Sequence, residues 1–304
     1  MCIRDRIKPS PPQAAASPSL AAEQKSMRMP SIYTHKQQMP SECRTKVRFH
    51  RPHYTPLPIL THHTGKEAGQ AFEKAAQVQT QQLNEPDDAA NTLTEAFKAY
   101  KRSDPEDAAR VLDKAITQYT IKGNFRRAAT HKQNLAELYE NDLGDNKRAA
   151  ESYEIAAGWY EQDNAEALAN KLFLKVADLV ALEGDYYKAI ENYEKVAKSS
   201  INHNLMRWSV KEYLFKAGIC HLCTNDMVGT QQALQKYLDM DNSLYQQREY
   251  LVLKDLLEAC EQGDQEAFSD KLFQFDQLSK LDKWKTTLLL RVKNNIQEQG
   301  EDFS

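Results

Sequence analysis

The sequence predicts an all-α fold: a solenoid of helical hairpins with a period of about 40 residues, closed by a C-terminal helical bundle. Two internal series and one absence predict it. Ala68, Ala108, Ala149 and Ala189 are spaced 40, 41 and 40 apart, and Ala96, Ala136, Ala177 and Ala217 keep the same spacings, one-residue slip included. Self-similarity at such a period marks stacked two-helix units, each burying its apolar face against its neighbours, so two series in step give four hairpins. The absence is of strand signals. No alternating apolar–polar run exceeds a few residues, and no proline follows Pro105, which leaves the last two-thirds of the chain free of helix breakers.

Composition agrees. A chain of 304 residues, 41% hydrophobic and 27% charged, suits a thin core that grows lengthwise. No run approaches the roughly 18 apolar residues of a membrane span, and residues 1–31 lack the apolar segment of a signal peptide. Five cysteines, odd in number and scattered at 2, 43, 220, 223 and 260, make no disulfide framework, so the cytosol is the expected compartment. The net charge of -3 conceals a division: residues 1–64 carry +7 and the remainder -10. Nine of the eleven prolines lie before residue 60, and all ten glycines lie at or after Gly65.

Residues 1–64 therefore stand apart as an atypical, disordered N-terminal segment without a sustained helical period. Arg44, Lys46, Arg48 and Arg51 are candidates there for a basic arm meeting nucleic acid or an anionic membrane. His50, His53, His62 and His63 are candidate metal ligands, but no Cys or acid sits at a matching spacing. Composition of this kind rarely makes a site, and an untethered tail or a misassigned coding start is the plainer expectation.

Helices begin at Gly65, and the solenoid occupies 65–226. Its units carry the triplets Ala68/Phe72/Ala76, Ala108/Leu112/Ile116, Ala149/Tyr153/Ala157 and Ala189/Tyr193/Ala197. A small Ala at the closest crossing and a large residue one turn on let two helices approach and then lock. Turns fall at 85–88, 103–105, Gly123, 141–145, Gly184-Asp185 and 224–226. In Gly144-Asp145 and Gly184-Asp185, Gly takes the left-handed backbone that ends one helix and Asp caps the next. Asp104-Pro105 is the matching pair of N-cap and first-turn proline. Beyond Asp226 the register loosens into 227–304, with helices over 228–238, 251–260 and 267–278. The last helix carries Leu281, Trp284, Leu288, Val292 and Ile296 as an i, i+3/i+4 stripe, entered through a capping box of Ser279 and Asp282. The chain ends acidic and polar, with one aromatic, Phe303.

Chemistry is scarce. There is no Gly-rich phosphate loop, no Gly-x-Ser-x-Gly and no His-Glu-x-x-His. Cys220-His221-Leu222-Cys223 has the shape of a redox or zinc half-site, but it lacks a second ligand pair and falls on the inner helix of the fourth hairpin, where Cys is core filler. Carboxylate pairs such as Glu151/Glu154 belong to solvated faces. No catalytic residue, metal or cofactor is expected; such a chain holds other proteins. Its basic residues mark where. Arg126 and Arg127 open one hairpin, Lys171 and Lys175 share a helix face, and Lys211 and Lys216 occupy the comparable helix one repeat on. Any one of these is read most simply as a solvated cation with an i,i+4 partner; as a set they form a positive stripe in the groove where solenoids bind partners.

Four ordered stretches carry a resemblance: Gly123-Asn124-Phe125-Arg126-Arg127; Ala169-Asn170-Lys171 with Lys175-Val176-Ala177-Asp178; Trp208-Ser209-Val210-Lys211-Glu212-Tyr213; and Leu281-Asp282-Lys283-Trp284-Lys285-Thr286. From Gly65 to Ser304, roughly four-fifths of its length, the chain resembles the alpha-SNAP or soluble NSF attachment protein family in its fungal vesicular-fusion form. That family has TPR-like hairpins longer than the roughly 34 residues of a true TPR. The resemblance implies an adaptor, not an enzyme, that lies along a SNARE four-helix bundle (syntaxin-type and other SNAREs) and recruits the hexameric ATPase NSF to pull it apart. It places Lys171 and Lys175 on SNARE-binding lysines, and Lys211 and Arg248 on further basic positions. Thr130 stands where the family has another lysine, with Arg126 and Arg127 beside it to take its place. Glu258 and Glu261 match acidic positions facing NSF; Glu298, Glu301 and Asp302 keep the acidic C-terminus, and Phe303 replaces the usual penultimate Leu.

The resemblance also implies a cytoplasmic protein, peripheral on membranes, with no nucleic-acid partner. Residues 1–64 show neither the opening helices nor the Phe-containing loop by which the family touches the membrane, so weaker membrane-assisted activity is expected. Three rival readings are kept: a general TPR-like scaffold for an extended peptide, a thiol or metal enzyme using Cys220 and Cys223, and a nucleic-acid-binding tail.

Overall fold

The structure is a computed structural model that describes residues 58–83, 85–203 and 205–302, with side chains between 65 and 296. The expected basic arm, His50, His53 and Phe303 lie outside the described residues; His62, His63, Glu298, Glu301 and Asp302 are described in their backbone only. Among the described residues there are twelve α-helices and no strand. The helices are α1 (Pro58–Val78), α2 (Pro86–Tyr100), α3 (Pro105–Ile121), α4 (Phe125–Leu138), α5 (Asn146–Gln162) and α6 (Glu166–Glu183). They continue as α7 (Tyr186–Ile201), α8 (Arg207–Cys223), α9 (Met227–Met240), α10 (Arg248–Gln262), α11 (Gln265–Leu278) and α12 (Lys283–Asp302). The unit Thr55–Ser304 is compact. Helix α1 starts at Pro58, inside the segment the composition assigns to the tail, because a proline at the first helical position costs no hydrogen bond.

Helices α1 to α8 pair as four hairpins, each helix packing on its neighbours in sequence. The start signals differ within a hairpin. Asp104, Asp145, Asp185, Asp226 and Asp264 each accept a backbone N–H three residues on, at 2.9–3.2 Å, so the first helix of every hairpin from α3 onward is capped by Asp. The second helices α2, α4, α6, α8 and α10 have no side-chain cap. The expected left-handed glycines are present at Gly144 (φ 68°) and Gly184 (φ 97°), and Gly263 (φ 66°) with Asp264 repeats the device before α11. Within the third hairpin the turn is made by Asn164 at φ 55°, a position the sequence reading passed over.

The alanine series lie where the period puts them except at the first member, Ala68, which is only partly buried. Ala108, Ala149, Ala189, Ala96, Ala136, Ala177 and Ala217 are all fully buried. Phe72 departs from its triplet at 39% exposure, since the described residues offer α1 no earlier hairpin to pack on. Buried tyrosines lock the crossings, each hydroxyl donating to a carboxylate of a neighbouring helix or its end: Tyr100 to Glu73, Tyr153 to Glu140, Tyr193 to Asp178 and Tyr237 to Glu194.

Beyond α8 the chain folds back. Helix α10 packs on α8, and α12 packs on α8 and α6, so the core runs unbroken from α4 through α12. Leu288, Val292 and Ile296 are buried as the stripe requires. The capping box is corrected: Ser279 ends α11, and Asp282 alone caps α12, accepting the Lys285 N–H at 2.8 Å. An Asp carboxylate directly before a helix satisfies that orphan donor without help.

Candidate functional site

The expected basic residues all fall on second helices. Arg126 and Arg127 begin α4, Lys171 and Lys175 are one turn apart on α6, Lys211 is on α8, and Arg248 begins α10. Arg126 and Arg127 thus open the second helix of a hairpin, not a hairpin as the sequence reading has it. One rank of helices carries the whole set because the hairpin repeat returns each second helix to the same side.

Their partners are not the i,i+4 neighbours expected of solvated lysines but residues of adjacent hairpins and turns. Lys175 Nζ lies 2.6 Å from Glu140 at the end of the preceding hairpin, and Lys211 lies 2.8 Å from Glu249 on α10. Lys216 reaches Asp178 of α6 at 2.7 Å. Arg126 lies 3.3 Å from Asp163 with most of its side chain exposed. Arg127 donates to Asn91 at 3.1 Å and stacks its guanidinium 5.0 Å from the Tyr119 ring. Lys171 and Arg248 are exposed and have no partner among the described residues. The stripe is therefore two free cations within a row of braced ones. Thr130, where the resemblance leads one to expect a lysine, turns its hydroxyl onto Tyr160 at 2.9 Å and onto the Arg126 carbonyl.

The opposite charge collects elsewhere. Glu258 and Glu261 sit exposed in the last turns of α10, Glu258 accepting from Gln262 at 3.3 Å. Carboxylates at a helix C-terminus face the negative end of its dipole, so the helix itself gives them no electrostatic support and an external cation would be favoured there.

Sequence reasoning missed an apolar surface beside Lys211. Leu205 (94% exposed) and Trp208 (83%) stand at the start of α8, and a groove of about 390 Å³ opens between Trp208, Arg207 and the 241–247 turn. Leu205 and Trp208 flanking Arg207, just before Lys211, were the available signal; Trp208 was read only as part of the stretch that carries the resemblance.

Cys220 and Cys223 face the core of α8, and Cys223 Sγ donates to the Leu288 carbonyl at 3.6 Å. Burial raises both thiols, Cys223 to about 12, which keeps them protonated and unreactive at neutral pH. Between them His221 turns its Nε2 toward Glu194, 4.0 Å away. Among the described residues no group of His, Cys, Asp and Glu is placed to hold a metal ion, and no helix is long and apolar enough to cross a membrane.

Known proteins provide the remaining observation. The family model described as "Soluble NSF attachment protein, SNAP" matches residues 61–297. The chain is 54% identical over 238 residues to the probable vesicular-fusion protein sec17 homolog of Neurospora crassa, an alignment covering 78% of this chain and 82% of that protein. It is 42% identical to the alpha-soluble NSF attachment protein of Saccharomyces cerevisiae, over 78% of this chain and 81% of that one. With the human alpha-soluble NSF attachment protein the identity is 40%, over 78% and 79% of the two chains.

Proposed function

The chain belongs to the soluble NSF attachment protein family, and from that premise we propose that it is an adaptor in vesicular fusion that binds SNARE four-helix bundles and recruits and stimulates NSF to disassemble them. The observation that carries the reading is the ranking of every expected SNARE-binding cation on the second helices. Arg126, Arg127, Lys171, Lys175, Lys211 and Arg248 then run along one side of the array, complementary to an acidic helical bundle. Leu205 and Trp208 add apolar area beside Lys211. Glu258, Glu261 and the C-terminal Glu298, Glu301, Asp302 and Phe303 form the NSF-facing end, all of it within the helices of 227–304, while the SNARE-facing cations lie on the hairpin array of 65–226 except for Arg248. The adaptor itself breaks no bond.

Charge suits the task. Long-range attraction steers association and sets register without one fixed apolar lock, so bundles of different sequence are served by one surface. Such contacts are screened by salt and reversible, as a complex that is dismantled each cycle requires. Peripheral membrane binding would come through partners bound to the membrane.

The test is NSF-driven disassembly of a purified SNARE complex with the full chain, with Lys171→Glu/Lys175→Glu, and with Phe303→Ala. The first variant places a carboxylate beside Glu140 and removes one free and one braced cation; it is expected to lose SNARE binding at least tenfold. The second is expected to bind SNAREs normally and to lose ATPase stimulation. A full chain that binds no SNARE complex would return the protein to the class of general helical-repeat scaffolds.

A further inference from the structure

Helix α12 does more than close the core. Its first turn places Trp284 so that the indole Nε1–H donates to the Asp178 carbonyl of α6 at 2.8 Å, across 106 residues of sequence. The same ring meets Tyr193 edge-on, with centroids 6.0 Å apart, and carries the Lys216 ammonium 4.9 Å from its centroid. Two turns on, Arg291 donates through Nη2 to the Leu182 carbonyl at 2.7 Å and through Nη1 to the Ala181 carbonyl and the Tyr186 hydroxyl at 3.3 Å each. Helix α6 ends at Glu183 before the left-handed Gly184, so its last carbonyls have few partners of their own. The guanidinium supplies donors to two of them and sets a cation at the negative end of the helix dipole.

We infer that this Trp284–Arg291 clamp is the mechanical link between the SNARE-facing helix α6 and the NSF-facing C-terminus. The inference rests on the adaptor reading above. Helix α6 is the helix that carries Lys171 and Lys175, and α12 is the helix whose end carries Glu298, Glu301 and Asp302. Along the chain the two are separated by α7 to α11, five helices joined by turns and packed largely on their neighbours. Compliance adds along such a series, because each unit of a solenoid is held only by those beside it. The clamp bypasses the series: a load on the C-terminus enters α6 through one rigid helix. Trp284 and Arg291 act as positioning residues, their hydrogen bonds being made within the chain.

The test uses the full chain with Trp284→Phe/Arg291→Lys, which keeps the ring and the charge and removes the indole donor and the guanidinium fork. SNARE binding and NSF ATPase stimulation at saturating adaptor are expected within twofold of wild type, while the disassembly rate falls about tenfold and each disassembly event consumes more ATP. Arg291→Lys alone is expected to fall between the two; should the double variant melt below the assay temperature, the single variant is read by the same criterion. Disassembly at the wild-type rate would overturn the inference. So would a loss matched by weaker SNARE binding or weaker ATPase stimulation, since the clamp would then only maintain the fold. If the wild-type chain itself supports no disassembly, the adaptor reading fails and takes the clamp's role with it.

Discussion

At Gly69 two magnitudes pull in opposite directions. Alanine is favoured over glycine inside a helix by about 1 kcal/mol, but a Cβ there would lie 2.6 Å from two ring atoms of Tyr100. That ring is 1% exposed and tethered through its hydroxyl to Glu73 at 3.0 Å, so it cannot retreat. Overpacking of this kind costs about 1–3 kcal/mol, and Gly69→Ala is expected to lower the urea midpoint. Gly158 has nothing within 4 Å of its would-be Cβ, so Gly158→Ala should raise the midpoint by the full propensity gain. A second residue, Glu194, governs a pH effect. Burial works to raise its pKa, but the Lys236 ammonium, the Tyr237 hydroxyl at 3.1 Å and His221 nearby together hold it at about 2, below its ordinary 4.5. A depressed carboxylate stabilises the fold above its unfolded pKa and loses that contribution as pH falls through the folded one. Stability measured against pH should therefore fall between about 4.5 and 2 by up to about 3 kcal/mol, and Glu194→Gln should flatten that segment while lowering the neutral-pH plateau. Neither residue was legible from sequence. Gly69 looks like a helix weakness, and a glutamate within Glu191-Asn192-Tyr193-Glu194 looks solvated, because both constraints come from helices far along the chain.

Between elements, the repeat has a grammar that sequence shows only in part. The 40-residue alanine series and the Gly-Asp breaks were legible, since helix ends and close crossings leave local marks. The charge ladder was not. Glu73 pairs with Arg110, Glu106 with Arg148, Glu154 with Lys188, Glu161 with Lys195 and Glu194 with Lys236, in each of these five with the acid from one hairpin and the base from the next. Pairs separated by a whole repeat lie outside any local window, so each member reads as a solvated charge. Each rung that is exposed contributes at most about 1 kcal/mol and fades in salt, which makes the ladder a device for register more than for stability. Caps act differently, since each is local and one-sided. Asp185→Ala removes the acceptor of the Lys188 N–H and is expected to cost about 1 kcal/mol. Asn124→Ala, at the start of an uncapped second helix, is expected to change the urea midpoint by less than half as much.

For the whole molecule, the family was legible earlier than the mechanics. The Leu281–Thr286 stretch identified the family, yet its structural meaning, a helix returning onto α6, cannot be read from a stripe that specifies only which face is buried. The same holds for a seam across the array. Buried apolar side chains divide into two clusters: a smaller one within α1 to α4 and a larger one running from α4 through α12. Helix α4 is the wall between them, turning Ala128, Leu135 and Leu138 to one side and Ala129 and Ala136 to the other. Among the described residues only the half-buried Tyr139 and Trp159 pack against both, and Trp159 is further braced by Phe125 at 6.5 Å between centroids. In a quasi-one-dimensional fold, cooperativity is lost where the coupling between neighbours is weakest. Trp159→Ala removes the largest side chain of the seam while leaving each cluster intact. Its urea unfolding is expected to separate into two steps, with the amides of α2 and α3 losing hydrogen-exchange protection before those of α6 and α8, because the smaller cluster has less apolar area to hold it. A single transition, with all four helices losing protection together, would mean that the helix backbones of α4 and α5 couple the halves without the tryptophan.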